Sequence, residues 1–254
     1  MVILREFKVG SFFLTLILIM FSGHTFMYGG QQMPDNIIDT TLTWINQARA
    51  QDGLEILVID SKLNEAADKY SVQMIEHNIL SDSDPDSGTP FERIQSSGLT
   101  DTNNLVIVAK AKTWDLLRKQ LLSPENLSKI LSPEMTHLGI GVKQDSTGDL
   151  WLTIHMVERS ITFTQFTLSQ LNTTPASRSI TINGNTPYKK VRIILVPPED
   201  SNPGLAVDRI IVPDSNDDFE ITLTFGAANG TFDFEFYVQK DGVFKLKNLF
   251  TMDI

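Results

Sequence analysis

The stretch NQARAQDGLEILVIDSKLNEAADKYSVQM, residues 46–74, decides how this 254-residue chain is read. Its first part closes an amphipathic helix in which Ile38, Leu42 and Ile45 recur at helical spacing. Gly53 ends that helix, because glycine takes the left-handed cap conformation without a Cβ clash. Leu54 and Leu57 fall in a short connection. Asp60 or Ser61 then offers a side-chain oxygen to the free amides of a second helix. Along that helix Leu63, Ala67, Tyr70 and Met74 share one face, at steps of four, three and four. Ala66 and Ala67 leave room there for another element to approach closely.

Apolar residues make up 41% of the chain, enough for a sizeable core in one large domain or two ordinary ones. The net charge of −10 disfavours nucleic acid and anionic lipid as electrostatic partners. There is no cysteine, hence no disulfide framework, thiolate metal site or cysteine nucleophile. Arg5 and Lys8 precede an apolar run over residues 12–21, which Ser22-Gly23-His24 interrupts. Residues 1–30 therefore read as a secretory signal or N-terminal anchor. Cleavage after Gly23, or near Gly29 and Gly30, is the favoured reading. An uncleaved anchor is the alternative and the one expected route to a membrane, since residues 12–28 are close to the shortest spanning helix.

Downstream, residues 81–90 form a loop of turn formers and residues 91–96 a short helix. Residues 105–108 are a buried strand or a helix entry. Residues 113–122 are a helix with Trp114, Leu117 and Leu121 on one face, and residues 124–131 a helical turn ended by Pro133. Two strands, 137–143 and 150–157, flank a turn at residues 145–148. After Arg159 helical patterning disappears. Short strands are expected at 161–168, 179–182, 190–196, 208–212, 219–225, 231–238 and 244–249, separated by turns such as Asn183-Gly184 and Asp241-Gly242. This pattern predicts an immunoglobulin-like β-sandwich. Residues 34–158 and 161–254 are thus expected to be two domains, with a protease cutting first near residues 158–162 or in the loop 197–205.

The opening helix–turn–helix is followed by Thr89-Pro90-Phe91-Glu92-Arg93-Ile94, Gly98-Leu99, Ser123-Pro124, Ile130-Leu131 and Thr136-His137-Leu138-Gly139-Ile140-Gly141-Val142. In order and spacing this resembles bacterial members of the CAP family, which groups cysteine-rich secretory, antigen 5 and pathogenesis-related proteins. The resemblance covers residues 37–158 and implies an α-β-α sandwich. The fold class expected is therefore α+β: a CAP-like α-β-α sandwich followed by an all-β immunoglobulin-like sandwich.

The resemblance also implies a central cleft, lined in many members by two histidines and acidic residues. Here the matching positions carry Asp82 and Asn126 for the histidines, and Asn103 for the carboxylate that precedes the family's asparagine, Asn104. Asparagine is no general base and a poor zinc ligand. The expectation is a degenerate cleft with no cofactor and no metal, in which Asp82, Asn103, Asn104, Asn126 and His155 contact a ligand. Asp82, Asp84 and Asp86 alternate as calcium ligands do, but the loop lacks the glycine and closing glutamate of a calcium loop, so a solvated acidic turn is expected. Asp214, Asn216 and Asp218 repeat the question. His77 is expected to be exposed, whereas His137 and His155 sit off the apolar alternation of their strands, which leaves them free to face the cleft. Close packing explains Gly139 and Gly141 better than a nucleotide site does.

Two functions follow. The favoured one is a secreted or surface-exposed, non-enzymatic binding module for a lipid, cell-wall component or protein, ligand classes that the resemblance implies. The alternative is an extracytoplasmic hydrolase using Asp82, Glu125 and His137 or His155, which requires those groups to come within hydrogen-bond reach.

Overall fold

The computed structural model describes residues 36–171, 177–198, 206–226 and 229–254, so the segment read as a signal or anchor lies outside the described residues. Helix α1 (Ile37–Gln51) begins at Asn36, whose side chain accepts from the Asp39 amide. Beyond its end Gly53 takes φ +73°. Asn46 then binds the returning chain as a strand neighbour would. Its Nδ2 donates to the Leu57 carbonyl at 3.0 Å and its Oδ1 accepts from the Leu57 amide at 2.8 Å. This holds a two-residue strand, β1 (Val58–Ile59), in place beside the sheet; such a strand is too short for periodicity to find. Asp60 caps α2 (Ser61–His77), accepting from the amides of Lys62 and Leu63.

After α3 (Pro90–Ser96) come β2 (Asn104–Ala111), α4 (Trp114–Leu121), α5 (Pro124–Ile130), β3 (His137–Gln144) and β4 (Leu150–Val157). The sheet order is β1-β3-β4-β2. The even-numbered residues of β4 (Leu150, Leu152, Ile154, Met156) form one core with Ile45 of α1, Leu117 and Leu121 of α4 and Ile130 of α5. Helix α2 covers the opposite face, where Tyr70 and Met74 meet Trp151 and Leu63 meets Val157. The contact is backbone to backbone. A Cβ on Gly139 would lie 2.1 Å from the carbonyl carbon of Leu63, and one on Gly141 2.3 Å from that of Ala67. The close approach of α2 to the sheet therefore requires glycine at both positions.

All seven strands expected after Arg159 are present: β5 (Thr162–Leu171), β6 (Ser177–Asn185), β7 (Val191–Val196), β8 (Val207–Ile211), β9 (Asp218–Gly226), β10 (Thr231–Lys240) and β11 (Val243–Asp253). They form two sheets, β5-β6-β9 and β11-β10-β7-β8. Phe232, Phe234, Phe236 and Val238 alternate inward along β10 and share one core with Ile180 and Ile182 of β6 and Phe225 of β9. Two sheets around one core make a β-sandwich.

The junction differs from expectation. Glu158, Ser160 and Ile161 are only 4%, 3% and 2% exposed, which speaks against a first cut at these three residues, and most of the alternative loop, 197–205, lies outside the described residues. The junction is buried because β11 borrows partners from the helical part. The Thr102 amide donates to the Lys247 carbonyl at 2.9 Å, and the Leu249 amide to the Thr100 carbonyl at 3.0 Å. The described residues accordingly form one compact unit.

Candidate functional site

The positions matched to the family cleft have separate partners. Asp82 is exposed, and among the described residues its carboxylate accepts only from the Ser83 hydroxyl, at 3.3 Å. Asn126 lies in the first turn of α5, where its amide donates to the capping Ser123 Oγ and its Nδ2 to the Gln120 carbonyl at 3.0 Å. Asn104 Nδ2 donates to the Thr102 carbonyl at 3.1 Å. Asn103 Nδ2 donates to Glu134 Oε2 at 3.1 Å and Glu158 Oε2 at 2.6 Å. None of these residues hydrogen-bonds another among the described residues.

His155, expected to face the cleft, is 0% exposed. It sits on the β4 face that α2 covers, opposite Val106 of β2 and Gly139 of β3. Neither ring nitrogen has a hydrogen-bond partner among the described residues. Burial pushes its pKa down to about 3, and the Arg93 cation adds to the effect, so the imidazole is neutral. Wholly enclosed, it meets no ligand arriving from solvent. The strand alternation that makes it look functional is simply the alternation of a strand buried on both faces.

Arg93 organises the loop next to it. Its guanidinium carbon lies 3.5 Å from the Tyr70 ring centroid, a cation–π contact in a buried setting. Nη1 donates to the Gly88 carbonyl at 2.7 Å and Nη2 to the Asp82 carbonyl at 2.6 Å. The Tyr70 hydroxyl donates to the Ser81 carbonyl at 2.8 Å. Asp84 completes the loop from within. Its Oδ1 accepts from the Asp86 amide at 2.7 Å and the Ser87 amide at 3.3 Å, and its Oδ2 lies 2.7 Å from His77 Nδ1. Asp82 and Asp86 are exposed, as a solvated acidic turn requires, but Asp84 is only 5% exposed and is no solvated carboxylate. The Asp84 carboxylate raises the pKa of exposed His77, and His77 lowers that of Asp84. His77, Asp84 and Asp86 bring three possible metal-ligand atoms within 4.8 Å of one another. Both Asp84 oxygens are already engaged, however. Asp214 plays the same local role in the sandwich, accepting from the amides of Asn216 at 2.8 Å and Asp218 at 3.0 Å.

The groups of the hydrolase alternative do not meet. Glu125 pairs with Lys129 at 3.1 Å, and His137 Nδ1 lies 2.9 Å from Thr136 Oγ1. No hydrogen bond joins Asp82 or Glu125 to either histidine among the described residues.

A further polar cluster lies at the junction. Arg159 Nη1 donates to Asp60 Oδ2 at 2.7 Å and Nη2 to Asp101 Oδ2 at 3.2 Å. Lys247 reaches Glu158 at 2.5 Å. Sequence reasoning assigned no role to Asp101, Glu158, Arg159 or Lys247. Their signal was a charge at the end of an apolar strand and another inside one, which marks an anomaly without naming its partner.

Comparison with known proteins agrees with the helical part. The cysteine-rich secretory protein family, CAP, matches residues 42–157. Residues 42–157 are thus a CAP domain, in a chain that has no cysteine. It is similar to the uncharacterized protein YkwD of Bacillus subtilis (strain 168), with 32% identity over 108 residues, 42% of this chain and 41% of that protein. The match thus spans less than half of that relative's length. Among solved structures, an outer surface protein from Borrelia burgdorferi is 16% identical, with a TM-score of 0.45, over 48% of this chain and 92% of that one. An extracellular protein containing a SCP domain from Bacillus anthracis is 21% identical, with a TM-score of 0.44, over 48% of this chain and 40% of that one. Among the described residues no helix is long and apolar enough to cross a membrane.

Proposed function

We propose that this protein is an extracytoplasmic, non-enzymatic binding module in which the CAP domain of residues 34–158 engages a surface ligand and a second domain, residues 161–254, presents it. The ligand classes are those of a lipid, a cell-wall component or a protein. One observation carries the reading: Asn103, at the position of the family's carboxylate, donates to Glu134 and Glu158 and so serves the junction, not a reacting centre. The separate partners of Asp82, Glu125, His137 and His155 support the same conclusion. The strand order β5-β6-β9 against β11-β10-β7-β8 supports an immunoglobulin-like second domain in which the fourth strand pairs with the third. In the constant-type arrangement that strand joins the other sheet.

The test is twofold. Fractionation of expressing cells should recover the protein outside the cytoplasm. Turnover of a chromogenic ester and of casein should stay at background. Turnover above background that is lost in both Glu125→Ala and His137→Ala would replace this reading with the hydrolase.

A further inference from the structure

A cavity of about 290 Å³ opens where the CAP domain meets the β-sandwich. Both parts line it, with Asp60, Lys62 and Asp101 on one side and Phe163, Phe166 and Asn248 on the other. Ligand pockets favour such inter-domain positions, and this one falls just below their usual range of about 300–1,000 Å³.

Its chemistry is specific. Asp101 and Asn248 are 2% and 1% exposed, and Oδ1 of each is buried with no hydrogen-bond partner. The rest of both side chains is engaged: Asp101 Oδ2 takes Arg159, and Asn248 Nδ2 donates to Thr100 Oγ1 at 2.9 Å. Asn248 sits opposite Asp101 and its amide favours the charged carboxylate, yet neither Oδ1 has a hydrogen-bond partner among the described residues, a state that native interiors seldom leave uncorrected. The formal charges cancel, since Asp60 and Asp101 face Lys62 and Arg159 in the same wall. An anion would meet the free acceptors, and a cation would meet Arg159 and Lys62. Beside this polar floor stands Phe166, 41% exposed. Phe163 and Phe250 hold its ring, at centroid distances of 5.1 and 5.2 Å.

From this juxtaposition we infer that the junction binds a neutral saccharide. One pyranose ring lays its C–H face on Phe166, and its hydroxyls donate toward Asp101 and Asn248. An adjoining cavity of about 480 Å³ shares Gly98, Leu99, Thr100 and Phe166 and continues toward Phe250 and Met252. It gives a second sugar unit an apolar bed. The site is separate from the family-matched cleft positions, so it stands or falls independently of the reading above.

The experiment is saturation-transfer NMR on the purified protein with glucose, N-acetylglucosamine and chitotriose at millimolar concentration, and with ethanolamine as a cationic donor. Ring protons of the sugars should receive saturation, and chitotriose should bind more tightly than the monosaccharides. Phe166→Ala, a substitution at an exposed position, should weaken binding by about tenfold, the loss expected for one aromatic contact. Leu168→Ala, on the same strand and 53% exposed but outside both cavities, should leave it unchanged. Transfer to no sugar, transfer to ethanolamine alone, or sugar binding indifferent to Phe166→Ala would each overturn the inference.

Discussion

Lys247 Nζ lies 2.5 Å from Glu158 Oε2, and only 5% and 4% of the two side chains are exposed. A β-bulge makes the contact. Asn248 faces Phe236 and Leu246 faces Tyr237, so Lys247 is the extra residue of β11. An extra residue breaks the alternation of a strand and re-aims a side chain. The Glu158 carboxylate is otherwise filled by Asn103 at 2.6 Å on the same oxygen, and by Ser160 Oγ at 3.3 Å and Tyr188 OH at 3.5 Å on the other. The pair thus joins the last strand of the sandwich to the end of the CAP sheet.

Breaking that pair from one side should be costly. Lys247→Met leaves a buried carboxylate without its counter-charge and is expected to destabilise the protein by about 3–5 kcal/mol. Adding Glu158→Gln should recover much of the loss, because the uncompensated charge then disappears. Urea unfolding of the parent, both single variants and the double variant measures this. A Lys247→Met midpoint equal to the parent's would mean that the pair contributes nothing.

Restoring an acidic residue at position 103 should harm, not revive, the protein. Asn103→Glu removes a donor shared by Glu134 and Glu158 and sets a third carboxylate beside them. The expected cost is about 1–3 kcal/mol at neutral pH, shrinking as the medium is acidified through the carboxylate range and repulsion is relieved. Thermal melts at pH 7 and pH 4.5 compare the two. A variant as stable as the parent at pH 7 would show that this position tolerates charge.

His155 should make the fold sensitive to acid. Its folded-state pKa is about 3 against an ordinary 6.5. Neutral His155 therefore contributes stability that is fully present above pH 6.5 and lost progressively as pH falls toward 3, at up to about 1.4 kcal/mol per pH unit. His155→Leu fills the site without a titrating group. The stability difference between variant and parent should grow in the variant's favour from pH 7 to pH 5. A difference that stays constant across that range would contradict the burial. Taking the difference also cancels the titration of His77 and His137.

The helix–sheet contact should resist enlargement and truncation alike. Gly141→Ala places a methyl 2.3 Å from the Ala67 carbonyl carbon and should cost at least about 1–3 kcal/mol, because backbone cannot step aside as a side-chain tip can. Tyr70→Ala and Leu63→Ala remove fully buried side chains and should cost roughly 2–5 kcal/mol each. Thermal melts matching the parent for these variants would place α2 elsewhere.

Metal binding is the last expectation. Zinc favours imidazole and thiolate and usually needs at least three protein ligands. Asp82, Asn103 and Asn126 supply one carboxylate, and His155 is enclosed. Isothermal titration of metal-stripped protein should show no one-to-one zinc binding in the micromolar range. Such binding, abolished by Asp82→Ala, would restore a metal role to the family cleft. Abolition by His77→Ala instead would move the metal to His77, Asp84 and Asp86.

What this sequence determined by itself is what neighbouring residues decide among themselves. Helical spacing around Leu63 and Tyr70, the Gly53 stop, the Asp60 cap and the seven strands after Arg159 all follow from local periodicity and turn chemistry, and the structure has them. Even the close packing at Gly139 and Gly141 is written in the absence of a side chain. What only the tertiary structure decided are the relationships between distant residues. Residues 105–108 read as strand or helix entry until β2 paired with β4, because a short buried apolar run has no period of its own. His155 looked like a cleft residue until α2 closed over it. Lys247 and Glu158 are 89 residues apart, and nothing local to either names the other. Their meeting depends on a bulge and on two cores packing against each other, and such long-range contacts exist only once the chain has folded.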